Sequence, residues 1–430
     1  MAGDIQNEAD LVRARIALVD AFNPSGPVAD TEFFAGRIGQ LARVLGAVRQ
    51  QGQHVILYGE RGVGKTSLAG LVHEFWNQYY RDTPGIFSAR YNCEPIDRFG
   101  TIWASIAEII SDTFEKRGEP VPVGENWKAL FDEIKNGSAT PHLVRRLLDL
   151  TKKSFVIVID EFDQIKDANT IAQFASTLKG LSDYLAQTTL IIVGVADTID
   201  ELIENHQSVD RALVQVKLPL MSTEELEHII GHGYSRAGLE AGAEAIDKMG
   251  RLAQGLPHYA HRFGQEAGFA ALRRGSLKVE SEDIDVATRE AIEQTDETVR
   301  RAYRNAVISP QNTRTLFNKV LLACALAQRD DLGFFAASDI REPLAKVAEQ
   351  EYDIPQFVGH LKKFCTDDKG SVLESEGVDW KRRYRFRNPL MRPYVVLRGI
   401  REELIDEQSV KRFEHANSAA PRRGHQARLL

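Results

Sequence analysis

The first group of candidate functional residues lies in LYGERGVGKTSLAG, Leu57 to Gly70. The stretch contains the pattern G-x-x-x-x-G-K-[ST], in which glycines let backbone N–H groups curl around phosphates. Lys65 would reach the β and γ oxygens, and the Thr66 hydroxyl would ligate Mg²⁺. The alternative is a glycine-rich turn that binds nothing, but the stretch lies between an apolar run and a helical pattern, as a phosphate-binding loop does. The residues expected to contact the nucleotide are Gly59, Glu60, Arg61, Gly62, Val63, Gly64, Lys65, Thr66 and Ser67.

A second acidic motif follows in VIVIDEFDQI, where a buried strand delivers Asp160 to its carboxyl end. Parallel α/β sheets bind ligands at that edge, so Asp160 is expected to hold Mg²⁺, through water. Glu161 would polarise the attacking water. Alternatively, Glu161 belongs only to the N-cap region of a following helix.

Short apolar runs alternate with helical patterns through the first half of the chain, which is typical of a parallel α/β sheet buried on both faces. From Ser222 to about Arg304 only helical periodicity continues, and after Pro310 three helices precede a hairpin, as in a winged helix. The expected strands are His54–Tyr58, Phe87–Tyr91, Phe155–Ile159, Leu190–Val195 and Leu213–Leu218.

These patterns predict five segments along the chain. They are an N-terminal helix and linker (1–27), an ATPase core (28–220), a helical lid (221–305), a winged-helix domain (306–404) and a disordered basic tail (405–430).

Composition narrows the class of protein. The 430 residues are 43% hydrophobic and carry a net charge of −7, so any contact with nucleic acid needs a local basic patch. The three cysteines are isolated, which argues against structural zinc and a disulfide framework. No segment has the composition of a leader or a membrane span, and we expect a cytoplasmic protein without a membrane partner.

A local basic patch of the kind that binds nucleic acid lies near the C-terminus, in DWKRRYRFRNPLMRPY. Between His360 and Glu402, eleven Lys and Arg stand against six Asp and Glu. The basic face of this winged helix would either contact DNA phosphates or dock on a protein, including the acidic ATPase domain itself. The DNA-binding candidates are Lys381, Arg382, Arg383, Arg385 and Arg387.

The combination of P-loop, IDEFD, an Arg before the fifth strand and a helical lid resembles AAA+ ATPases, in particular the origin-recognition initiators and the STAND switch ATPases. The resemblance covers roughly Phe34 to Ile400. It implies an α/β AAA+ P-loop NTPase core with a parallel sheet in the order 5-1-4-3-2, followed by a helical lid and a C-terminal winged-helix domain. It also implies ATP or ADP and Mg²⁺ as cofactors.

The same resemblance assigns roles within the core. In FFAGR it places Phe34 and Arg37 near the adenine. In RYNC, at the end of the second strand, it places Asn92 where the family often keeps a polar residue that restrains the catalytic Glu161. It makes Arg211 a finger that reaches a neighbouring subunit's nucleotide, unless Arg211 is a surface residue paired with a nearby acid. A γ-phosphate sensor would come from Asp197 or Thr198.

In the lid, GLPHYAHRFG has the G-x-P form of STAND proteins, with Pro257 packed near the adenine. His258 stands where the initiators place an Arg. His258 or Arg262 would sense phosphate, or both merely lie on the surface of a lid helix. The departure from the initiators favours a slow ATPase that holds its nucleotide.

Two functions of different classes remain open. The first is an ATP-hydrolysing switch that assembles into a homo-oligomer when it binds ATP and engages double-stranded DNA. The second is a signalling switch, for example in a bacterial defence or mobile-element system, whose winged helix autoinhibits or binds a protein effector from the same operon.

Overall fold

The computed structural model describes residues 8–24, 26, 37–80, 85–120, 125–184, 187–194, 210–308, 316–330, 333–378 and 381–419. The helices are α1 Glu8–Ala21, α2 Ile38–Arg49, α3 Lys65–Tyr79, α4 Phe99–Lys116, α5 Glu125–Glu133, α6 Pro141–Thr151, α7 Ala168–Asp183, α8 Thr223–Ala237, α9 Ala243–Leu252, α10 Pro257–Arg273, α11 Ser281–Glu293, α12 Glu297–Val307, α13 Leu316–Leu326, α14 Arg341–Ala348, α15 Ile354–Phe364, α16 Met391–Arg401 and α17 Glu407–Ala419. The strands are β1 His54–Gly59, β2 Phe87–Asn92, β3 Phe155–Asp160, β4 Thr188–Gly194, β5 Leu213–Leu218, β6 Glu240–Ala241, β7 Lys278–Val279, β8 Phe335–Ala336, β9 Leu373–Glu376 and β10 Arg383–Phe386.

The chain forms two compact units. The sheet unit is drawn from Pro27–Gly59 and Gly64–Leu218, and the helical unit from Met1–Gly26, Glu60–Val63 and Pro219–Leu430. None of the helices in the ranges given above is long and apolar enough to cross a membrane.

A five-stranded parallel sheet forms the centre of the sheet unit, in the order β2-β3-β4-β1-β5. The predicted order 5-1-4-3-2 is therefore confirmed. Every residue of β3 and β4 is buried, as their continuous apolar sequences predict. β4 begins two residues earlier than expected, because Thr188 and Thr189 pair with Phe155 and Val156.

Aromatic side chains hold the turn that follows β3. Phe162 is 1% exposed, and its ring packs edge-on against Phe174 of α7 with the centroids 5.2 Å apart. Phe99 of α4 contacts the same Phe174 ring. The backbone after Asp160 is thus anchored to the hydrophobic core, and edge-to-face ring pairs add stability beyond the area they bury.

The N-terminal helix α1 belongs to the helical unit, in which α8 to α12 are joined by a short parallel pair, β6 and β7. Phe22, which follows α1, is 1% exposed and packs edge-on against Tyr234. Its ring occupies a socket between two helices, because a Cβ at Gly233 of α8 or at Gly264 of α10 would lie 2.3 Å from ring atoms. We call this the Phe22 socket.

The C-terminal part of the helical unit contains α13, α14 and α15, followed by the β9–β10 hairpin, as the pattern of three helices and a hairpin predicts. A two-residue strand, β8, adds to the hairpin in the antiparallel order β8-β10-β9. The sequence did not predict β8 because two residues are too few to show an alternating pattern.

The expectation of a disordered tail from residue 405 is wrong for residues 407–419, which form α17. Val410 and Phe413, one helical turn apart, are 3% and 8% exposed. Lys248 also forms an ion pair with Glu407 at 3.0 Å. Two apolar side chains on one helix face were enough to dock a segment that otherwise reads as polar.

Candidate nucleotide-binding site

The two glycines that frame the P-loop are required by the backbone. At Gly59, where φ is +157°, a Cβ would lie 2.2 Å from the carbonyl oxygen of Leu218 at the end of β5. Gly64 has φ +91° and ψ 24° at the position that precedes α3. Only glycine adopts these conformations without strain, so the motif has a geometric cause in this chain.

Lys65 begins α3, and its ammonium donates a hydrogen bond to the carbonyl oxygen of Gly59 at 3.0 Å. The side chain therefore folds back along the loop. Thr66 and Ser67 follow in the first turn of the helix, where backbone N–H groups have no partner within the helix. This combination of cation, hydroxyls and helix N-terminus is suited to bind an anion.

The remaining loop residues Glu60, Arg61, Gly62 and Val63 group with the helical unit. Gly62 has φ +80°, and Val63 is fully buried. The contacts of these four residues with nucleotide stay predictions.

Asp160 lies at the carboxyl end of β3 with 2% of its side chain exposed. Its Oδ1 accepts a hydrogen bond from the backbone N–H of Glu161 at 2.9 Å. Its Oδ2 accepts from Nη2 of Arg90 at 2.8 Å. Both oxygens of this buried carboxylate are therefore engaged by donors.

Glu161 has a left-handed backbone, with φ 53° and ψ 35°, and its side chain is exposed. Such a conformation costs a non-glycine residue about 1 to 2 kcal/mol. The Asp160 contact and the buried Phe162 hold it from both sides. An exposed carboxylate therefore follows directly after the carboxyl end of β3.

Arg90 is the residue of this site that the sequence analysis missed. It lies on β2, where Asn92 is opposite Asp160 and Arg90 is opposite Val158. Its Nε donates to Oδ1 of Asn92 at 3.2 Å while its Nη2 binds Asp160. A signal existed in the sequence, because Arg90 and Asn92 are two residues apart and so share one side of a strand.

The loop after β2 holds Asn92 in place. The Tyr91 hydroxyl donates to both carboxylate oxygens of Asp97 at 3.0 and 3.1 Å, and the N–H of Glu94 donates to the same group at 2.7 Å. Burial, and then this contact with Asp97, raises the pKa of Tyr91 to about 12. Asn92 and Asp160 are both hydrogen-bonded to Arg90. The expected restraint of Asn92 on Glu161 stays a prediction.

Other candidates in the sheet unit lie apart from this cluster in the chain. Arg37 is 3% exposed directly before α2, and Arg211 is exposed in the turn before β5. Phe34 lies outside the described residues, as do Asp197 and Thr198. The roles of Arg37 and Arg211 remain expectations from the family.

In the helical unit, Pro257 is the first residue of α10 and His258 the second. His258 Nδ1 donates to the carbonyl oxygen of Pro24 at 2.5 Å. Burial lowers the pKa of His258, and the nearby Arg262 lowers it further, against the opposing effect of the Pro24 contact. Arg262 in turn donates to the backbone and side chain of Gln294 at 3.4 and 3.3 Å. Both candidate phosphate sensors thus make contacts within the helical unit.

The C-terminal basic cluster consists of Lys381, Arg382, Arg383, Arg385 and Arg387. Arg383 pairs with Asp330 at 2.6 Å and also with Glu376, and Arg385 pairs with Glu374. Arg383 and Arg385 are thus paired with acids of the same subdomain, and their contact with DNA stays a prediction. The antiparallel register causes this pairing, since it places Glu374 opposite Arg385 and Glu376 opposite Arg383.

The rest of the cluster is arranged differently. Arg382 is partly buried, with Nη1 3.4 Å from Oγ of Ser375. Lys381 and Arg387 are exposed.

The donor set at the sheet edge fits Mg²⁺ bound with a nucleotide. A carboxylate from Asp160 and a hydroxyl from Thr66 are hard oxygen ligands, and Mg²⁺ takes few of these from proteins and the rest from phosphate and water. Over the described ranges, no three His, Cys, Asp or Glu side chains group as a metal site. Asp160 and Thr66 remain the residues expected to hold the ion.

Comparison with solved structures establishes the fold. The ORC2 protein of Aeropyrum pernix, solved as ADPNP–ADP complexes, aligns over 93% of this chain and 98% of its own, with a TM-score of 0.51 and 14% identity. A Walker-type ATPase of Pyrococcus abyssi aligns over 88% of this chain and 99% of its own, with a TM-score of 0.51 and 18% identity. At these identities the likeness is one of fold alone.

By sequence, no curated protein matches the chain significantly. The profile described as Novel STAND NTPase 1 matches residues 21–263, which is more than half of the 430 residues and spans the P-loop, the Asp160–Glu161 pair and the G-x-P motif. The STAND resemblance is thereby confirmed, and the chain belongs to the novel STAND NTPase 1 family.

Proposed function

We propose that this protein is a nucleotide-controlled molecular switch that binds ATP and ADP with Mg²⁺ and hydrolyses ATP slowly. One observation carries the proposal. A P-loop with backbone-required glycines follows the carboxyl end of β1, and the buried Asp160 and the exposed Glu161 lie at the carboxyl end of β3. Nothing else described in the chain combines an anion-binding loop with acids in this way.

Each residue has a separate task in the proposed reaction. The ammonium of Lys65 would leave Gly59 and bind the β and γ oxygens, where it stabilises charge in both the bound state and the transition state. Thr66 and Asp160 would hold Mg²⁺, which supplies charge neutralisation at the phosphates. Glu161 would orient and polarise the attacking water as a general base.

Slow turnover is supported by the contacts of His258. In the initiators this position carries an Arg, whereas the imidazole here is bonded to Pro24 and its lowered pKa favours the neutral form. A neutral, occupied side chain would stabilise developing phosphate charge poorly. The switch would therefore hold its nucleotide for long periods.

Two substitutions test the proposal. Lys65→Ala should weaken ATP and ADP binding at least tenfold, because the ammonium contacts phosphate in the ground state. Glu161→Gln should preserve binding but lower turnover about 10²- to 10⁴-fold, the usual contribution of a general base. Lys128→Ala, which removes an exposed lysine of α5, serves as the charge-matched control. Nucleotide affinity is measured by calorimetry and turnover by phosphate release.

Two results would count against these assignments. Undiminished hydrolysis in Glu161→Gln would remove Glu161 from the mechanism. Unchanged affinity in Lys65→Ala, equal to that of Lys128→Ala, would remove the P-loop from nucleotide binding altogether.

We further propose that ATP promotes self-assembly through Arg211 and that the C-terminal subdomain passes the nucleotide state to a protein effector. The pairing of Arg383 and Arg385 with Asp330, Glu374 and Glu376 favours this output over DNA contact. DNA engagement is the second candidate, supported by the excess of eleven basic over six acidic residues between positions 360 and 402.

A further inference from the structure

Arg90 is hydrogen-bonded to the carboxylate of Asp160, which is an expected ligand of the proposed Mg²⁺ site. Its Nη2 lies 2.8 Å from Oδ2 of Asp160, whose other oxygen accepts from the Glu161 N–H. Asp160 is 2% exposed, whereas the Arg90 side chain is 34% exposed. The carboxylate is thus desolvated while its counter-ion still reaches solvent, and an uncompensated charge at Asp160 would be costly.

The position of Arg90 relative to α3 brings it next to the other expected metal ligand. Nη1 of Arg90 lies 3.5 Å from where a Cβ of Gly70 would stand. Gly70 follows Thr66 by four residues on α3, so the two share one face of the helix, a single turn apart. The guanidinium therefore lies beside both Asp160 and the helix face that carries Thr66.

A guanidinium and a divalent ion cannot share this carboxylate without repulsion. Two like unit charges about 4 Å apart repel appreciably at the effective dielectric of a protein surface, and a dication doubles the charge product. We propose that Arg90 is a displaceable counter-ion of Asp160, which neutralises the carboxylate when nucleotide binds without metal and is displaced when Mg²⁺ binds. This inference rests on the proposed nucleotide function of the same site.

The Arg90–Asp160 ion pair would determine how strongly nucleotide affinity depends on Mg²⁺. With Arg90 present, metal-free nucleotide meets a neutral pair, and Mg²⁺ must displace a guanidinium. Without Arg90, metal-free nucleotide meets the bare charge of Asp160, and Mg²⁺ meets no competitor. Removing Arg90 should therefore weaken metal-free binding and strengthen Mg²⁺ binding, which increases the coupling between Mg²⁺ and nucleotide.

The experiment measures the dissociation constant of ADP in EDTA and in saturating MgCl₂, and the Mg²⁺ concentration at half-effect, by calorimetry on the full chain. In Arg90→Met, the ratio of the metal-free to the Mg²⁺ dissociation constant should rise about tenfold, and the half-effect concentration of Mg²⁺ should fall about tenfold. Arg90→Gln, which keeps a hydrogen-bonding side chain, should also raise the ratio and lower the half-effect concentration of Mg²⁺. It replaces Arg90→Met in the test if that variant folds poorly. Arg90→Lys should restore the wild-type ratio.

Arg145→Met is the matched control, because Arg145 makes an ion pair of similar length, 2.9 Å, with Asp149 within α6. Its ratio should equal that of the wild type. If Arg90 instead contacts the nucleotide phosphates, both dissociation constants will rise together and the ratio will not change, which overturns the inference. An unchanged ratio with unchanged affinities overturns it as well. Failure of the wild type to bind ADP would refute the proposed function itself, and the inference with it.

Discussion

In the Phe22 socket, the effect of replacing Gly233 of α8 with alanine should depend on Phe22, which lies more than two hundred positions away in the sequence. Gly231 and Gly233 both lie in α8, so replacing either with alanine should favour the helix by about 0.5 to 1 kcal/mol through backbone entropy. At Gly231 the new Cβ has 3.8 Å to the nearest atom, the Cδ1 of Ile246. Gly231→Ala should therefore increase the free energy of unfolding by about that amount.

At Gly233 the same Cβ would lie 2.3 Å from Cζ of Phe22 and 2.5 Å from its Cε1. The ring is 1% exposed and also packs closely against Gly264, so it has little room to move away. Overpacking of this kind costs about 1 to 3 kcal/mol. Gly233→Ala should lower stability by up to about that amount, opposite in sign to Gly231→Ala, although both add one methyl group to one helix.

Removing the ring should reverse the sign. Phe22→Ala alone should cost about 3 to 5 kcal/mol, as for other buried phenylalanines. In that background, Gly233→Ala should gain about 0.5 to 1 kcal/mol, because the clash is gone and only helix propensity remains. The coupling energy between the two positions would be about 1 to 3 kcal/mol, because the helix-propensity gain is the same in both backgrounds and cancels.

Urea unfolding of the full chain, followed by far-UV circular dichroism, measures these differences from the midpoints, provided that the denaturant slope stays constant across variants. Equal effects of the two alanines, or an effect of Gly233→Ala that does not depend on Phe22, would show that the socket does not constrain the helical unit.

Three other outcomes follow from the site and the helical unit. Arg211→Ala should lower ATP turnover more than nucleotide affinity, and turnover per subunit should rise with protein concentration, whereas turnover independent of concentration would exclude a finger acting between subunits. Arg383 and Arg385 form ion pairs with neighbouring acids, so replacing Arg382, Arg383 and Arg385 together with glutamine should lower the slope of log DNA affinity against log salt by about one unit or less. A fall near three would favour DNA readout by these three arginines. Burial lowers the pKa of His261 to about 4 from the usual 6.5, so the unfolded state binds more protons than the folded state between these pH values. The free energy of unfolding should therefore fall as pH drops from about 6.5 towards 4. His261→Gln should flatten that dependence in unfolding measurements across this range.

The strands and the P-loop could be predicted because their signals are local. Continuous apolar runs such as Phe155–Ile159 mark strands buried on both faces, and the spacing of Gly59, Gly64 and Lys65 is a motif in itself. No local pattern carries the order of the strands in the sheet. That prediction came from the family resemblance. The comparison with the structure confirms that order.

What the sequence did not reveal depends on pairing between distant segments. Arg90 meets Asp160 only through the register of β2 against β3, and Phe22 meets Gly233 only because α1 docks on α8. The paired arginines of the hairpin could have been anticipated, since Glu374 and Glu376 alternate on one strand as Arg383 and Arg385 do on the next. Opposite charges two residues apart on both arms of a hairpin form cross-strand pairs when the register aligns them.

The left-handed backbone of Glu161 sets stability against activity at a single position. Glycine would adopt φ 53° without penalty and asparagine with little, so Glu161→Gly should relieve about 1 kcal/mol of strain. The same change removes the carboxylate proposed to polarise water. A laboratory selection for heat resistance alone would therefore favour losing the acid at this position, and only a selection that also demands turnover would keep it.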